Sequence, residues 1–178
     1  MTSIKKQILD SAESGIRSGG YSNLSFSGLA ATLNISIEEI EHYFPTKAKL
    51  SIAVVIRYRL TVNEALAKIS ENYTNIEERL YHYANFFERA IIIDNKICPC
   101  TILGAEIDAL PKEIQTEVKQ FFIDNINWLS VAIFADQKNA KLSAQQLIAS
   151  LDGAALLAKL LGDPGLITQL IARFTQKQ

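Results

Sequence analysis

The sequence predicts an all-α protein of about nine helices. Apolar residues recur at three- and four-residue spacing along most of the chain, which is the period of a helix with one buried face. No segment alternates as a half-buried strand would, and no repeat or low-complexity tract interrupts the pattern. Capping residues, glycines and prolines separate the periodic segments, so the helix ends can be placed.

The first two predicted helices are bounded by glycine and serine. Apolar residues mark one face of the first helix, which ends at Gly19 and Gly20. Ser25 can cap the second helix, because its hydroxyl can accept from a backbone N–H that has no partner within the helix. The apolar positions are Ile4, Ile8, Leu9, Ala12 and Ile16 in the first helix and Leu24, Phe26, Leu29, Ala30 and Leu33 in the second.

The third predicted helix begins at Ser36 and ends before a proline. Ser36 and Glu39 have the spacing of a capping box, in which each side chain satisfies the backbone N–H of the other residue. Pro45 ends this helix after Phe44. Thr46 can then cap a long fourth helix.

Five further helices are predicted after the fourth. The pattern breaks at 72–75, and a fifth helix extends from about Ile76 to Ile93. A turn at 94–96 precedes the motif Cys98-Pro99-Cys100, which leads into another helix, and Pro111 opens a long helix. The segment 147–161 is apolar almost all round, which predicts a helix covered on more than one side. Residues 162–164, Gly-Asp-Pro, form the turn before the last helix.

Composition limits the class of protein. The 178 residues carry 18 basic and 19 acidic side chains, a formal net charge of −1. This balance excludes a strongly basic nucleic-acid coat, so DNA contact would depend on a local patch. The longest apolar run, 154–158, is far shorter than the roughly 20 residues that span a bilayer, and the first ten residues do not resemble a signal peptide. Two cysteines two positions apart cannot link distant parts of a fold, so we expect a cytoplasmic protein without a membrane partner.

Residues 25–44 have the layout of a helix-turn-helix. Two short helices flank a tight turn and follow a third helix, and the second of the pair would lie in the major groove. Any three-helix bundle shows the same pattern, so the pattern alone leaves DNA binding open.

A resemblance to the TetR/AcrR-type transcriptional regulators favours DNA binding. The segment from Ile4 to Leu50 is similar to their N-terminal domain. The match includes Gly20-Tyr21, Leu29-Ala30, Ser36, and the run His42-Tyr43-Phe44-Pro45-Thr46-Lys47 with Leu50 in register. Further along, the stretches 98–106, 109–111, 151–158 and 162–164 are similar to one group of these regulators. The resemblance implies a DNA-binding domain at 1–50 and a ligand-binding and dimerisation domain at 51–178.

The resemblance also implies partners and roles. The last two helices, 147–175, would pair with a second copy, and the homodimer would hold two half-sites of a pseudo-palindromic double-stranded operator. Lys47 and the Tyr43 hydroxyl would hold phosphates, assisted by Thr46 and Ser25. The candidate DNA surface is Ser25, Ser36, Glu41, His42, Tyr43, Thr46 and Lys47. The expected function is a repressor that a small-molecule effector releases from DNA.

The predicted recognition helix departs from the family pattern. Asn34, Ile37, Glu38 and Glu41 stand where the family usually has glycine, a small or basic residue, glycine and tyrosine. Within residues 1–50 five acidic side chains balance five basic ones, so little non-specific affinity is expected. Glu38 fits the helix dipole, whereas either Glu38 or Glu41 could accept from a cytosine amino group. The alternative function is a helical dimer of the same fold that has lost DNA affinity and binds a protein partner.

The regulatory half offers apolar and thiol candidates. Large residues on the central helices could line a pocket for an apolar effector, although such residues are also ordinary core. Cys98 and Cys100 lie at a helix start, where a thiolate is more reactive, and could sense oxidants or electrophiles; two small buried residues are the plainer interpretation. The pocket candidates are Tyr58, Phe86, Phe87, Ile102, Phe121, Phe122 and Trp128.

Catalysis and metal binding find little support in the sequence. A Cys–His enzyme using Cys98 or Cys100 with His82 lacks a recognisable orienting acid or oxyanion hole. Two sulfurs fall short of four zinc ligands. We therefore expect no enzyme activity, no metal and no cofactor.

Overall fold

The structure is a computed structural model and describes residues 3–175. Within this range it contains nine α-helices, one short 3-10 helix and no strand, which confirms the all-α prediction. The helices are α1 (Ile4–Asn23), α2 (Phe26–Leu33), α3 (Ile37–Tyr43), α4 (Lys47–Asn72), α5 (Ile76–Asp94), α6 (Pro99–Ala105), α7 (Lys112–Ala132), α8 (Ala140–Leu161) and α9 (Gly165–Thr175), and the 3-10 helix spans Ile107–Ala109.

Most predicted helix ends are confirmed, because they depend on local capping. Asn75 caps α5 by accepting from the Glu77 backbone N–H at 2.7 Å. Asn95 ends α5 in the left-handed region at φ 49°. Gly162 ends α8 at φ 68°.

Three boundaries differ from the prediction. The helical segment of α1 continues to Asn23, although Gly20 inside it is non-helical, with φ 74° and ψ −171°. α8 begins at Ala140, seven residues before the predicted 147, because the polar residues of its first turns gave no apolar signal. The 3-10 helix at Ile107–Ala109 was not foreseen, since three residues are too few to show a period.

The described residues form two compact units. The first runs to Leu60 and includes Pro99–Phe121. The second consists of Thr61–Cys98 and the chain from Phe122 onwards, so two of the three boundaries fall inside long helices, α4 and α7, and the third lies at the start of α6. The functional division at residue 50 stays a prediction.

In the first unit, α1 packs against α2 and α6, and α2 packs against α3. Its core includes the fully buried Ile8, Ile16, Ile40 and Leu50. Arg57 on α4 reinforces the packing by donating to Asp10 at 2.6 Å and to Glu13 at 2.8 Å on α1.

In the second unit, α5, α8 and α9 pack against one another. The inner face of α8 is buried at Ala144, Leu147, Ile148, Leu151, Ala155 and Ala158. No helix among residues 3–175 is long and apolar enough to cross a membrane.

Candidate nucleic-acid interface

Helix α2 is capped at both of its ends. Ser25 Oγ accepts from the Gly28 backbone N–H at 3.1 Å and starts α2, as predicted. Asn34 ends α2 in the left-handed region, at φ 54° and ψ 47°. Asparagine is the side chain that tolerates this conformation best, which explains how Asn34 can replace the glycine of the family pattern.

Ser36 starts α3, and a neighbouring carboxylate completes the cap. Ser36 Oγ accepts from the Glu39 backbone N–H at 3.1 Å, as predicted. Ser36 also bonds the neighbouring Glu38 carboxylate. The other half of the predicted capping box, from the Ser36 backbone N–H to the Glu39 carboxylate, stays a prediction. Hydrogen bonds to the Glu38 backbone N–H and to Ser36 lower the pKa of the Glu38 carboxyl. The first turn of α3 is therefore stabilised by an ionised glutamate.

One side of α3 is buried and the other is open to solvent. Ile40 is fully buried, and Phe44, which follows the helix, is also buried. Glu38, Glu41, His42 and Tyr43 are exposed, and we call these four residues the α3 face. The His42 and Tyr43 rings meet edge to face at 5.2 Å. Two of the four residues are acids, so the α3 face is mainly acidic.

The start of α4 lies directly after α3 in the chain. Thr46 Oγ1 caps α4 by accepting from the Lys49 backbone N–H at 3.2 Å, as predicted. Lys47 is half-buried, and its Nζ donates to the Ser22 backbone oxygen at 3.4 Å. The same ammonium lies over the Tyr21 ring, 4.3 Å from its centroid. Burial lowers the pKa of Lys47, and the charge of Glu106 partly opposes this shift.

The seven DNA-binding candidates all lie in the first unit. Ser25 begins α2, Ser36 begins α3, Thr46 and Lys47 begin α4, and the other three lie on the α3 face. All except Lys47 are exposed. Whether these residues contact DNA stays a prediction.

Sequence reasoning missed two charged residues beside these candidates. Lys5 on α1 is exposed, and its Nζ lies 6.0 Å from the centroid of the Phe44 ring. Glu106, which follows α6, accepts from the Tyr21 backbone N–H at 2.8 Å. Sequence spacing could not have identified either residue, because their partners are far away along the chain. The one local signal was Gly20, since a glycine allows another group, here the Glu106 carboxylate, to approach the backbone closely.

The pocket candidates divide between the units. In the first unit, Tyr58 and Phe121 contact each other with ring centroids 5.6 Å apart, and Ile102 is half-buried. Phe86, Phe87, Phe122 and Trp128 belong to the second unit. Their role in binding an effector stays a prediction.

Tyr83, which sequence reasoning did not select, lies at the centre of the aromatic residues of the second unit. Its ring stacks on Trp128 at 5.7 Å and contacts Phe87 at 5.7 Å and Phe86 at 6.5 Å. Its buried hydroxyl donates to Asn125 Oδ1 at 3.3 Å. Burial first, and then the charges of Asp152 and Cys98, raise the pKa of Tyr83, so this phenol stays neutral.

Neither cysteine forms a disulfide, and both lie beside the start of α6. Cys98 is half-buried and precedes the helix, whereas Cys100 is fully buried within it. The more accessible sensor candidate is therefore Cys98. Within residues 3–175 no three His, Cys, Asp or Glu side chains cluster closely enough to hold a metal ion.

The outer side of α8 is apolar and exposed. Leu156, Leu157, Leu160 and Leu161 are 48%, 51%, 69% and 69% exposed. With Gly153, beside which a Cβ would meet nothing within 4 Å, they follow helical spacing and form what we call the α8 stripe. α8 is therefore apolar on two sides, and the predicted cover of its outer side stays a prediction.

Comparison with known proteins finds similar solved structures. No family model matches the sequence, and no curated protein does. Among solved structures, a TetR transcriptional regulator from Legionella pneumophila has 28% identity and a TM-score of 0.91, over 98% of this chain and 96% of that chain. A TetR-family transcriptional regulator from Agrobacterium tumefaciens has 26% identity and a TM-score of 0.88, over 95% and 96% of the two chains.

A third structure supports the fold only. The regulatory protein TetR from Rhodobacter sphaeroides is 17% identical, with a TM-score of 0.85 over 95% of each chain. The first two matches have higher sequence identity and also extend over nearly the whole chain. The predicted resemblance to TetR-family transcriptional regulators is therefore confirmed over nearly the whole chain.

Proposed function

We propose that this protein is a homodimeric repressor that binds a pseudo-palindromic operator and is released by a small effector. The observation that carries the proposal is the exposed α3 face on a helix that is capped independently by Ser36 and followed at once by Thr46 and Lys47. A recognition helix held in this way can present side chains to base edges while the neighbouring helix start binds phosphate.

The proposed roles within the interface follow from chemistry. Ser25 and Thr46 cap helices with their oxygen atoms, and their hydroxyl hydrogens can be donated to phosphates. Lys47 supplies a cation, and the Tyr43 hydroxyl a further donor. Glu41 is exposed and can accept from a cytosine N4 amino group, while His42 can donate to a base edge or to a phosphate.

The α8 stripe supports the proposed dimer. Four exposed leucines on one side of a helix are unfavourable in water, and each contributes about 1.5–3 kcal/mol when buried. A Cβ at Gly153 would meet no atom within 4 Å, so packing within the chain does not require a glycine there. A glycine at this position does allow the backbone of a second helix to approach closely. A second copy presenting the same stripe satisfies both requirements through a twofold axis.

The effector is proposed to be small and either apolar or thiol-reactive. Tyr83, Phe87 and Trp128 supply an aromatic surface in the second unit, and Cys98 supplies the more accessible thiol. Binding would shift the population toward a conformer in which the two recognition helices no longer match the half-site spacing.

Selection of bound sequences from a random duplex library tests the proposal. Purified wild-type protein at low salt is expected to enrich a pseudo-palindrome, because two identical α3 helices would read two half-sites. A Lys47→Ala variant serves as the control for phosphate contact and is expected to enrich the same sequence less efficiently. Enrichment of no sequence by a folded dimer would contradict the proposal.

One observation favours a second function. Glu38 and Glu41 make the α3 face acidic, and DNA phosphates repel such a surface. The same dimer could instead present this face to a basic segment of a protein partner. Retention of the protein on an anion-exchange resin but not on heparin or random DNA would support this second function.

A further inference from the structure

A carboxylate from outside residues 1–50 reaches the end of α1. Glu106 follows α6 directly, and its Oε2 accepts from the Tyr21 backbone N–H at 2.8 Å. The non-helical backbone of Gly20 interrupts the hydrogen-bond ladder of α1, so this N–H can be donated to a side chain. A Cβ on Gly20 would overlap the Glu106 carboxylate, so the contact requires glycine at position 20.

Lys47 is held by the same short segment. Its ammonium lies over the Tyr21 ring and donates to the Ser22 backbone oxygen. The Glu106 carboxylate bonds the Tyr21 backbone and also attracts the Lys47 ammonium, since its charge favours the protonated lysine. Tyr21 is therefore contacted by a carboxylate at its backbone and by an ammonium at its ring.

We propose that Glu106, Tyr21 and Ser22 form a holding site that keeps the Lys47 ammonium from DNA phosphate, with Glu106 as the removable member. This inference rests on the proposed phosphate role of Lys47. Bonds to Ser22 and to the Tyr21 ring compete with a bond to phosphate, and the negative charge of Glu106 strengthens the hold and repels the phosphate.

The position of Glu106 makes the holding site adjustable. Among the three residues of the site, Tyr21 and Ser22 belong to α1, whereas Glu106 directly follows α6. A ligand that favours the contact between Glu106 and Tyr21 lowers DNA affinity, and a ligand that withdraws Glu106 raises it. Glu106 is thus a positioning residue for Lys47.

The variant Glu106→Gln tests the proposal with little disturbance of the fold. The amide oxygen of glutamine can still accept from the Tyr21 backbone N–H, while the negative charge is lost. Affinity for a short mixed-sequence duplex at low salt is expected to rise about threefold per subunit, the scale of a partly exposed ion pair. The control Asp108→Asn removes one negative charge two residues away, at an exposed position, and is expected to change affinity much less.

A double variant assigns the effect to Lys47. In the Lys47→Ala background, Glu106→Gln is expected to leave affinity unchanged, because the held ammonium is absent. An increase of the same size in that background would overturn the proposal, as would equal affinity of Glu106→Gln and the wild-type protein.

A second measurement needs no DNA. Acetylation of lysines by an N-hydroxysuccinimide ester, followed by mass spectrometry, is expected to be faster at Lys47 in Glu106→Gln, with the exposed Lys49 as internal reference. An unchanged Lys47 rate would overturn the holding site. A third outcome is that Lys47 is acetylated faster in Glu106→Gln but no variant binds the duplex. That result would overturn the phosphate role of Lys47 and would still support the holding site.

Discussion

The α3 face and the α8 stripe are both exposed helix surfaces, yet they differ in whether they need a partner. Water solvates the carboxylates of Glu38 and Glu41, so the α3 face is stable with no partner. Water does not favour the four leucines of the α8 stripe, so that surface gains free energy from any apolar cover. The difference teaches that the α8 stripe gains stability from an apolar cover, which supports the proposed dimer, whereas the α3 face needs no cover.

The largest expected effect comes from charging the α8 stripe. Leu157→Glu with Leu160→Glu would bury carboxylates in the proposed interface, so the dimer is expected to dissociate. Operator affinity is then expected to fall at least about a hundredfold, because one subunit holds only one half-site. Sedimentation gives the mass of the particle, and titration of the selected duplex gives the affinity.

The control for charging the stripe is Val131→Glu. Val131 is 76% exposed on α7 and lies outside residues 147–175, so it introduces the same charge on another apolar surface position. It is expected to leave the dimer intact. A dimer that survives both changes in the α8 stripe would show that the subunits associate through another surface.

The next effect concerns the cation beside the α3 face. Lys47→Ala is expected to weaken binding uniformly across duplex sequences and to reduce the magnitude of the salt slope by about one per subunit. Lys68→Ala is the matched control, because Lys68 is an exposed lysine on the same helix whose charge is paired with Glu64 at 2.8 Å. Equal slopes for Lys47→Ala and wild type would remove Lys47 from the phosphate contacts.

A smaller and sequence-dependent effect is expected at Glu41. If Glu41 accepts from a cytosine, Glu41→Gln should relax the preference at one position of each half-site by about 1–3 kcal/mol. Selection with the variant measures this change, and Glu39→Gln on the same helix is the control. A loss of preference spread evenly over all positions would argue that Glu41 acts through helix stability.

The smallest effect is a change of stability with pH at Glu38. Its folded pKa is lowered below the usual 4.5, first by its backbone N–H and then by Ser36. The ionised form therefore stabilises the folded state above about pH 4.5, and this contribution is lost as the pH falls through the lowered pKa. Glu38→Gln should abolish that part of the pH dependence, measured by thermal unfolding from neutral pH to pH 3, while Glu39→Gln should retain it.

Much of the interface was predictable because it depends on short-range rules. Ser25, Ser36 and Thr46 cap the helices they were expected to cap. The resemblance of residues 4–50 then suggested a DNA-binding role for these residues, and similar solved structures confirm the resemblance to TetR-family regulators. The bond between Ser36 and the Glu38 carboxylate was not predicted, because it depends on side-chain conformation.

The sequence by itself determined the helices, their caps and the two-sided apolar character of α8, because each follows from residues within one or two helical turns. The tertiary structure alone decided that Glu106 bonds Tyr21, 85 positions away, and that Lys47 lies on the Tyr21 ring. It also decided that Tyr83 is the centre of the aromatic residues in the second unit. Such contacts depend on how helices that are distant in the sequence pack together. The periodicity of apolar residues predicts which face of a helix is buried, but it does not predict which residues of another helix contact that face.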